Sequence, residues 1–119
     1  MLPLEVRKYL FDMAQAADLI AEIVAGKEFS EYVANPMLRS AVERQFEIVG
    51  EALSQARRGY PELESLITDS SRIIAFRNRL VHGYASVSCE TVWGIIEGNL
   101  PALREQLKEL LSDEGPLAT

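Results

Sequence analysis

The sequence predicts an all-α protein, an up-and-down bundle of four to five helices, and three observations predict it. Apolar residues recur at helical spacing from one end of the 119-residue chain to the other. No segment alternates with the two-residue period of a strand over any length. Gly, Pro, Asn and Ser stand at the joints between the periodic stretches, where helices start and stop. Residues 1–119 read as one domain, long enough to close a core, with a polar tail from about residue 112 that frays.

Each element follows in turn. Val6, Leu10, Met13, Ala17, Ile20 and Val24 draw one apolar stripe along a first long helix, which Gly26 stops. Ser30 caps a short turn. Asn35-Pro36 starts the second long helix, with proline in its first turn where a missing N–H costs nothing. Leu38, Ala41, Val42, Gln45, Ile48, Val49, Ala52, Leu53 and Ala56 form its wide buried face, and Gly59-Tyr60-Pro61 ends it. The stretch 62–68 suits a turn or a single helical turn. Asp69, Ser70 and Ser71 offer caps for a third long helix through IIAFRNRLVH, which ends near Gly83. There Leu80 and Val81, with Ile73, Ile74 and Phe76, face the core. Ser86 or Ser88 opens the last stretch, whose face is Val92, Ile96, Leu100, Leu103, Leu107 and Leu110; Pro101 kinks or divides it, with Asn99 as a cap for the second piece.

Composition narrows the function. At 48% hydrophobic and 25% charged the chain is ordinary globular protein. It holds no apolar run long enough for a membrane span, and its first residues lack a signal-peptide core. The lone cysteine, Cys89, makes no internal disulfide, which suits a reducing cytoplasm. One cysteine and one histidine leave no soft-ligand zinc set, so no metal or cofactor is expected, and no Gly-rich phosphate loop is present. Net charge is −6, unevenly placed: residues 39–79 carry seven arginines against six carboxylates, a local +1, leaving −7 on the rest. Most arginines taken singly suit solvated helix faces.

The chemistry concentrates in Phe76-Arg77-Asn78-Arg79-Leu80-Val81-His82-Gly83-Tyr84. Asn78 and His82, four apart, share a helix face. Arg77 and Tyr84, seven apart, align if the helix persists through Gly83. An unperturbed histidine titrates near ~6.5 and can take or give a proton at neutral pH. An arginine stabilises charge gathering on a phosphate. An asparagine can fix the imidazole tautomer or hold the phosphate. No metal is required if the nucleophile is the 2′-hydroxyl of RNA, already beside its phosphate. The same residues also suit a histidine placed on a helix dipole, a glycine C-cap and a tyrosine on the core rim.

The spacing Arg77-x4-His82-x-Tyr84 resembles the motif of the HEPN superfamily, and specifically its HepT-like toxins. The likeness extends to the first helix, to RQFEIVGEAL (Arg44 to Leu53), to GYPEL and to VWGIIEGNLPALREQL, covering roughly residues 5–111. It implies a HEPN-like helical fold and a homodimer that acts as a metal-independent RNase toxin, with tRNA as a family-level substrate. It implies further a type VII-like toxin–antitoxin pair, in which a cognate MNT-type nucleotidyltransferase silences the toxin by transferring AMP to the motif tyrosine. Carried over, Arg77 and His82 are the catalytic pair, Asn78 supports them, Tyr84 is modified, and Glu51 is either structural or backs a residue of the site without touching substrate. No role is assigned to Arg79. The competing expectation is a non-catalytic helical partner of the nucleotidyltransferase. Gly83 departs from the family pattern, where larger or acidic residues are common, and puts the Arg77–Tyr84 alignment in doubt. Independently of the family, in-line cleavage gains from a base on one side and an acid on the other, and a chain with one histidine supplies two only as a dimer.

Overall fold

Two long helices, α1 (Leu4–Val24) and α3 (Pro36–Gly59), form the spine, as seen in a computed structural model that describes residues 2–83 and 87–113. They run antiparallel: Gly59 at the end of α3 lies against Val6 at the start of α1. Around them stand α2 (Phe29–Ala34), α4 (Leu63–Leu66), α5 (Ser70–His82), α6 (Cys89–Gly98) and α7 (Leu100–Asp113). The all-α expectation holds, with five long helices and two short ones among the described residues, and no strand among them. No described helix is long and apolar enough to cross a membrane.

The predicted stripes form the core. Val6, Leu10, Met13, Ala17 and Ile20 of α1 are buried, facing Val42, Val49, Leu53 and Ala56 of α3 and Leu103 and Leu107 of α7. Phe46 joins them, whereas Ala41, expected on that face, is exposed, so the buried stripe of α3 is rotated slightly toward α5. An ion pair of 2.8 Å between Arg104 and Asp18 fastens α7 to α1.

The joints follow the expected chemistry in part. Asn35 accepts from the N–H groups of Met37 and Leu38, both at 3.1 Å, with Pro36 opening α3. Ser88 accepts from the Thr91 N–H at 3.1 Å and starts α6. Ser30, expected to cap, lies inside α2; the cap is Glu28, whose N–H donates to Glu31 Oε2 at 2.7 Å. Asp69 occupies the cap position of α5 in a left-handed conformation, φ 60°, and its side chain makes no cap bond. It lies 4.0 Å from Arg72 instead. Ser70 is buried and accepts a 3.4 Å bond from Arg57 of α3. Chain direction breaks between Gly98 and Leu100, so Pro101 sits in the first turn of α7, where it removes no helical bond.

Tyr32 anchors the short α2. Its ring lies 5.4 Å from Trp93 of α6, and Arg39 of α3 donates to the Val33 and Tyr32 carbonyls. The Tyr32 side chain is wholly buried, and its hydroxyl has no hydrogen-bond partner among the described residues. Burial pushes its pKa far above the ordinary phenol range, with Glu43 and Cys89 adding to the shift. Burial likewise raises the pKa of Glu43. Tyr32→Phe removes the orphan hydroxyl and is expected to hold or raise stability by about 1 kcal/mol, whereas Tyr32→Ala empties the site and costs about 3–5 kcal/mol. Urea unfolding of the two variants checks both signs.

Candidate functional site

The site begins with an absence of atoms on α3. Gly50 sits in the middle of that helix, where glycine costs about 1 kcal/mol relative to alanine. A Cβ built there would stand 2.3 Å from Cβ and 2.8 Å from Cγ of Arg77, and 3.3 Å from the Ile73 carbonyl oxygen. The helices α3 and α5 therefore meet at van der Waals distance through this gap, and the Arg77 stem lies across it. A T-shaped contact between Phe46 and Phe76, centroids 5.4 Å apart, holds the same seam one turn away. Gly50 was passed over in the sequence reading, although a glycine inside an otherwise apolar helix face is a signal of close packing.

Arg77 is thereby held by its stem with its head left open. It is 29% exposed; one terminal nitrogen donates to Asn78 Oδ1 at 3.0 Å and the other lies 3.9 Å from Glu51 Oε2. Its Nε is buried without a hydrogen-bond partner among the described residues. Glu51 is more than half exposed, so this pair contributes well under ~1 kcal/mol and orients the guanidinium more than it stabilises the fold. A guanidinium carries five N–H donors. With Nε buried, one N–H given to Asn78 and the other terminal nitrogen beside Glu51, the remaining N–H groups of the two terminal nitrogens are left for an anion.

Helical geometry sets the rest. At ~100° per residue, Arg77 and His82 project about 140° apart on α5, so within one chain they point to different sides. Asn78 and His82 lie about 40° apart, facing away from α3, and both are exposed. The bond from Arg77 to Asn78 carries the guanidinium toward the histidine side. His82 ends the helix: Gly83, φ 65°, is the left-handed C-cap and donates to the Arg79 carbonyl. The helix ends at His82, so the condition set for an Arg77–Tyr84 alignment, a helix that persists through Gly83, is not met. Tyr84 itself lies outside the described residues, as does Ser86.

α5 also corrects an expectation about packing. Of the apolar residues expected to face the core, Ile73, Ile74, Phe76 and Leu80 do pack against it, each partly buried, whereas Val81 is 45% exposed. One seam with α3 cannot cover both flanks of a helix. Val81, seven residues beyond the half-buried Ile74, leaves apolar surface on that flank near the end of α5. Arg72 and Arg79, also seven apart, line the opposite flank. Between α1 and α3 lies a further groove lined by Asp12, Asp18, Glu22 and Glu51 against a single arginine, Arg44. Among the described residues no three His, Cys, Asp or Glu side chains cluster closely enough to hold a metal ion.

The family profile described as ribonuclease HepT-like matches residues 13–110, which include α5 and the whole α3–α5 seam. A candidate RNase of Caldanaerobacter subterraneus subsp. tengcongensis is 32% identical over 108 residues, covering 91% of this chain and 96% of that protein. A candidate ribonuclease HepT of Thermococcus cleftensis is 27% identical over 104 residues, covering 87% and 94%. A candidate RNase of Methanocaldococcus jannaschii is 24% identical over 113 residues, covering 92% and 89%. No solved structure matches the chain significantly.

The seam makes a paired prediction. Gly50→Ala forces α3 and α5 apart at Arg77 and is expected to destabilise by about 1–3 kcal/mol, as overpacking does. Gly94→Ala in α6, where an added Cβ meets nothing within 4 Å, is expected to stabilise by about 0.5–1 kcal/mol. Chemical denaturation of both variants reads the contrast.

Proposed function

The chain belongs to the HepT-like ribonuclease family, and on that premise we propose that it is the metal-independent RNase toxin of a type VII-like toxin–antitoxin pair. The observation that carries the reading is the Arg77-x4-His82 pair within the family match: a guanidinium seated over Gly50 with donors to spare, and an exposed imidazole at the end of the same helix. His82 takes the proton from a ribose 2′-hydroxyl, whose oxygen attacks the adjacent phosphorus. The bond from phosphorus to the 5′-oxygen breaks, that oxygen receives a proton from an imidazolium, and a cyclic phosphate is left. Arg77 holds the non-bridging oxygens as charge gathers on them, and Asn78 orients the phosphate or the ring.

Base and acid come from two copies in this reading. A homodimer through the Val81 flank of α5 is supported by the exposure of Val81 and by the single histidine per chain. The ~140° between Arg77 and His82 then becomes an advantage, because each protomer presents one group to its own side and one across the two-fold axis.

Silencing is assigned to a cognate nucleotidyltransferase. The Tyr84 phenol oxygen attacks the α-phosphorus of ATP and pyrophosphate leaves, placing a phosphodiester charge two residues from His82. That charge competes for Arg77 with the phosphate of RNA. The alternative, a non-catalytic docking partner of the nucleotidyltransferase, predicts a stable complex without any cleavage.

Two experiments test the proposal. His82→Ala and Arg77→Ala are each expected to lower RNA cleavage in EDTA by at least ~10²-fold with the far-UV circular dichroism unchanged; an equally active His82→Ala protein would refute the assignment. Mass spectrometry after co-expression with the nucleotidyltransferase is expected to find an AMP-sized increment on Tyr84, and modification of another residue would sink the regulatory half.

A further inference from the structure

We infer that the groove between α5 and α6–α7 is a single-stranded RNA track, in which a base beside the cleaved linkage inserts between the helices while Arg72 and Arg79 hold the flanking phosphates. The inference rests on the RNase reading and extends it by stating where the strand lies and in what form it is recognised.

The groove encloses about 730 Å³, within the ~300–1,000 Å³ that small-molecule sites occupy. Its wall is mainly apolar, built from Phe76 and Ile73 of α5, Ile95 of α6 and Leu103 of α7. Aliphatic and aromatic walls of this kind receive an unstacked base face, and single strands rather than duplexes offer one. A-form duplex hides its base faces and offers a protein mainly backbone and 2′-hydroxyls.

Charge favours nucleic acid as the occupant. Two arginines and one carboxylate, Asp69, line this groove in a chain of net charge −6. The groove between α1 and α3 has the opposite balance, four carboxylates against one arginine, and would repel the same strand. Arg72 reaches Asp69 only at 4.0 Å, and its side chain is 85% exposed. Arg79 makes no ion pair among the described residues. Asn99, on the groove wall at the α6–α7 break, has a side-chain amide with no hydrogen-bond partner among the described residues, free for a base edge or a 2′-hydroxyl.

Position links the track to the chemistry. Arg72 and Arg79 lie within about 20° of each other around α5, and His82 follows one turn beyond Arg79, about 60° further round. A strand that follows the two arginines along the helix therefore arrives at the imidazole. This gives Arg79 a role that the motif leaves unassigned.

The test uses full-length protein carrying His82→Ala, so that RNA stays intact, and a fluorescein-labelled single-stranded RNA decamer followed by anisotropy across a salt series. Arg72→Gln with Arg79→Gln is expected to weaken binding at least tenfold and to lower the slope of log K against log salt by about 1.4, two charges at ~0.7 each. Ala102→Trp, which fills the groove, is expected to weaken binding with the slope unchanged. Lys8→Gln with Lys27→Gln, an equal loss of two charges at residues that do not line the groove, is expected to do neither. Affinity unchanged in the double-arginine variant overturns the track. So does a loss of affinity accompanied by a changed sedimentation coefficient, which makes the groove a protein–protein contact. In the active background the variants raise KM more than they lower kcat. Normal cleavage with unaltered KM removes the track and leaves the nuclease, whereas absent cleavage with arginine-dependent binding removes the nuclease and leaves the track.

Discussion

The approach of α5 to α3 at Gly50 is the constraint on which the site depends. With no Cβ at that position, the Arg77 stem lies where any other side chain would stand, and backbone of the next turn, at Ile73, closes to contact. An arginine placed in this way loses its conformational freedom along the stem before any ligand arrives. The entropy of ordering is met by folding, and the guanidinium head is presented in one orientation by Glu51 and Asn78. Such preorganisation is what electrostatic stabilisation of a charged transition state requires, since donors that must first be gathered contribute less.

Once that contact is made, the helical period divides α5 into strips with different tasks. The strip toward α3 carries Ile73, Phe76, Leu80 and Arg77; the apolar flank carries Ile74 and Val81; the opposite flank carries Arg72 and Arg79; and Asn78 with His82 faces away. A thirteen-residue helix at the edge of a bundle buries only a narrow strip, which frees the remainder of its circumference for other partners. This explains why its apolar residues are at best partly buried where Val6, Leu10, Met13, Ala17 and Ile20 of α1 are fully buried. It also reconciles a negatively charged protein with a nucleic-acid substrate. The carboxylates lie mainly on α1, α6 and α7 and on the α1–α3 groove, while the arginines of the middle segment gather at α5 and the end of α3.

The sequence by itself determined the helical class, the order of the long helices and most of the core, because burial of one helix face is written in a 3.6-residue period that needs no knowledge of neighbours. It determined the cap at Asn35 and narrowed that of α6 to Ser86 or Ser88 for the same reason: a side chain that accepts from the backbone two or three residues on is a local interaction. It also supplied the Arg77-x4-His82 spacing and the family likeness that the profile match bears out.

Only the tertiary structure decided what lies between elements. The function of Gly50, the pairing of Glu51 with Arg77 and the exposed flanks of α5 all arise from a contact between residues more than twenty positions apart, which no local pattern encodes. The expected caps at Ser30, Asp69 and Ser70 failed for a related reason. Several residues in each stretch could serve as caps, and the choice went to whichever start let the helix pack: Glu28 for α2, and a left-handed Asp69 that leaves Ser70 buried against Arg57 for α5. Helix faces follow from the chain's own periodicity, whereas the distance between two helices follows from the smallest residue at their crossing, and that residue is known only when both helices are in place.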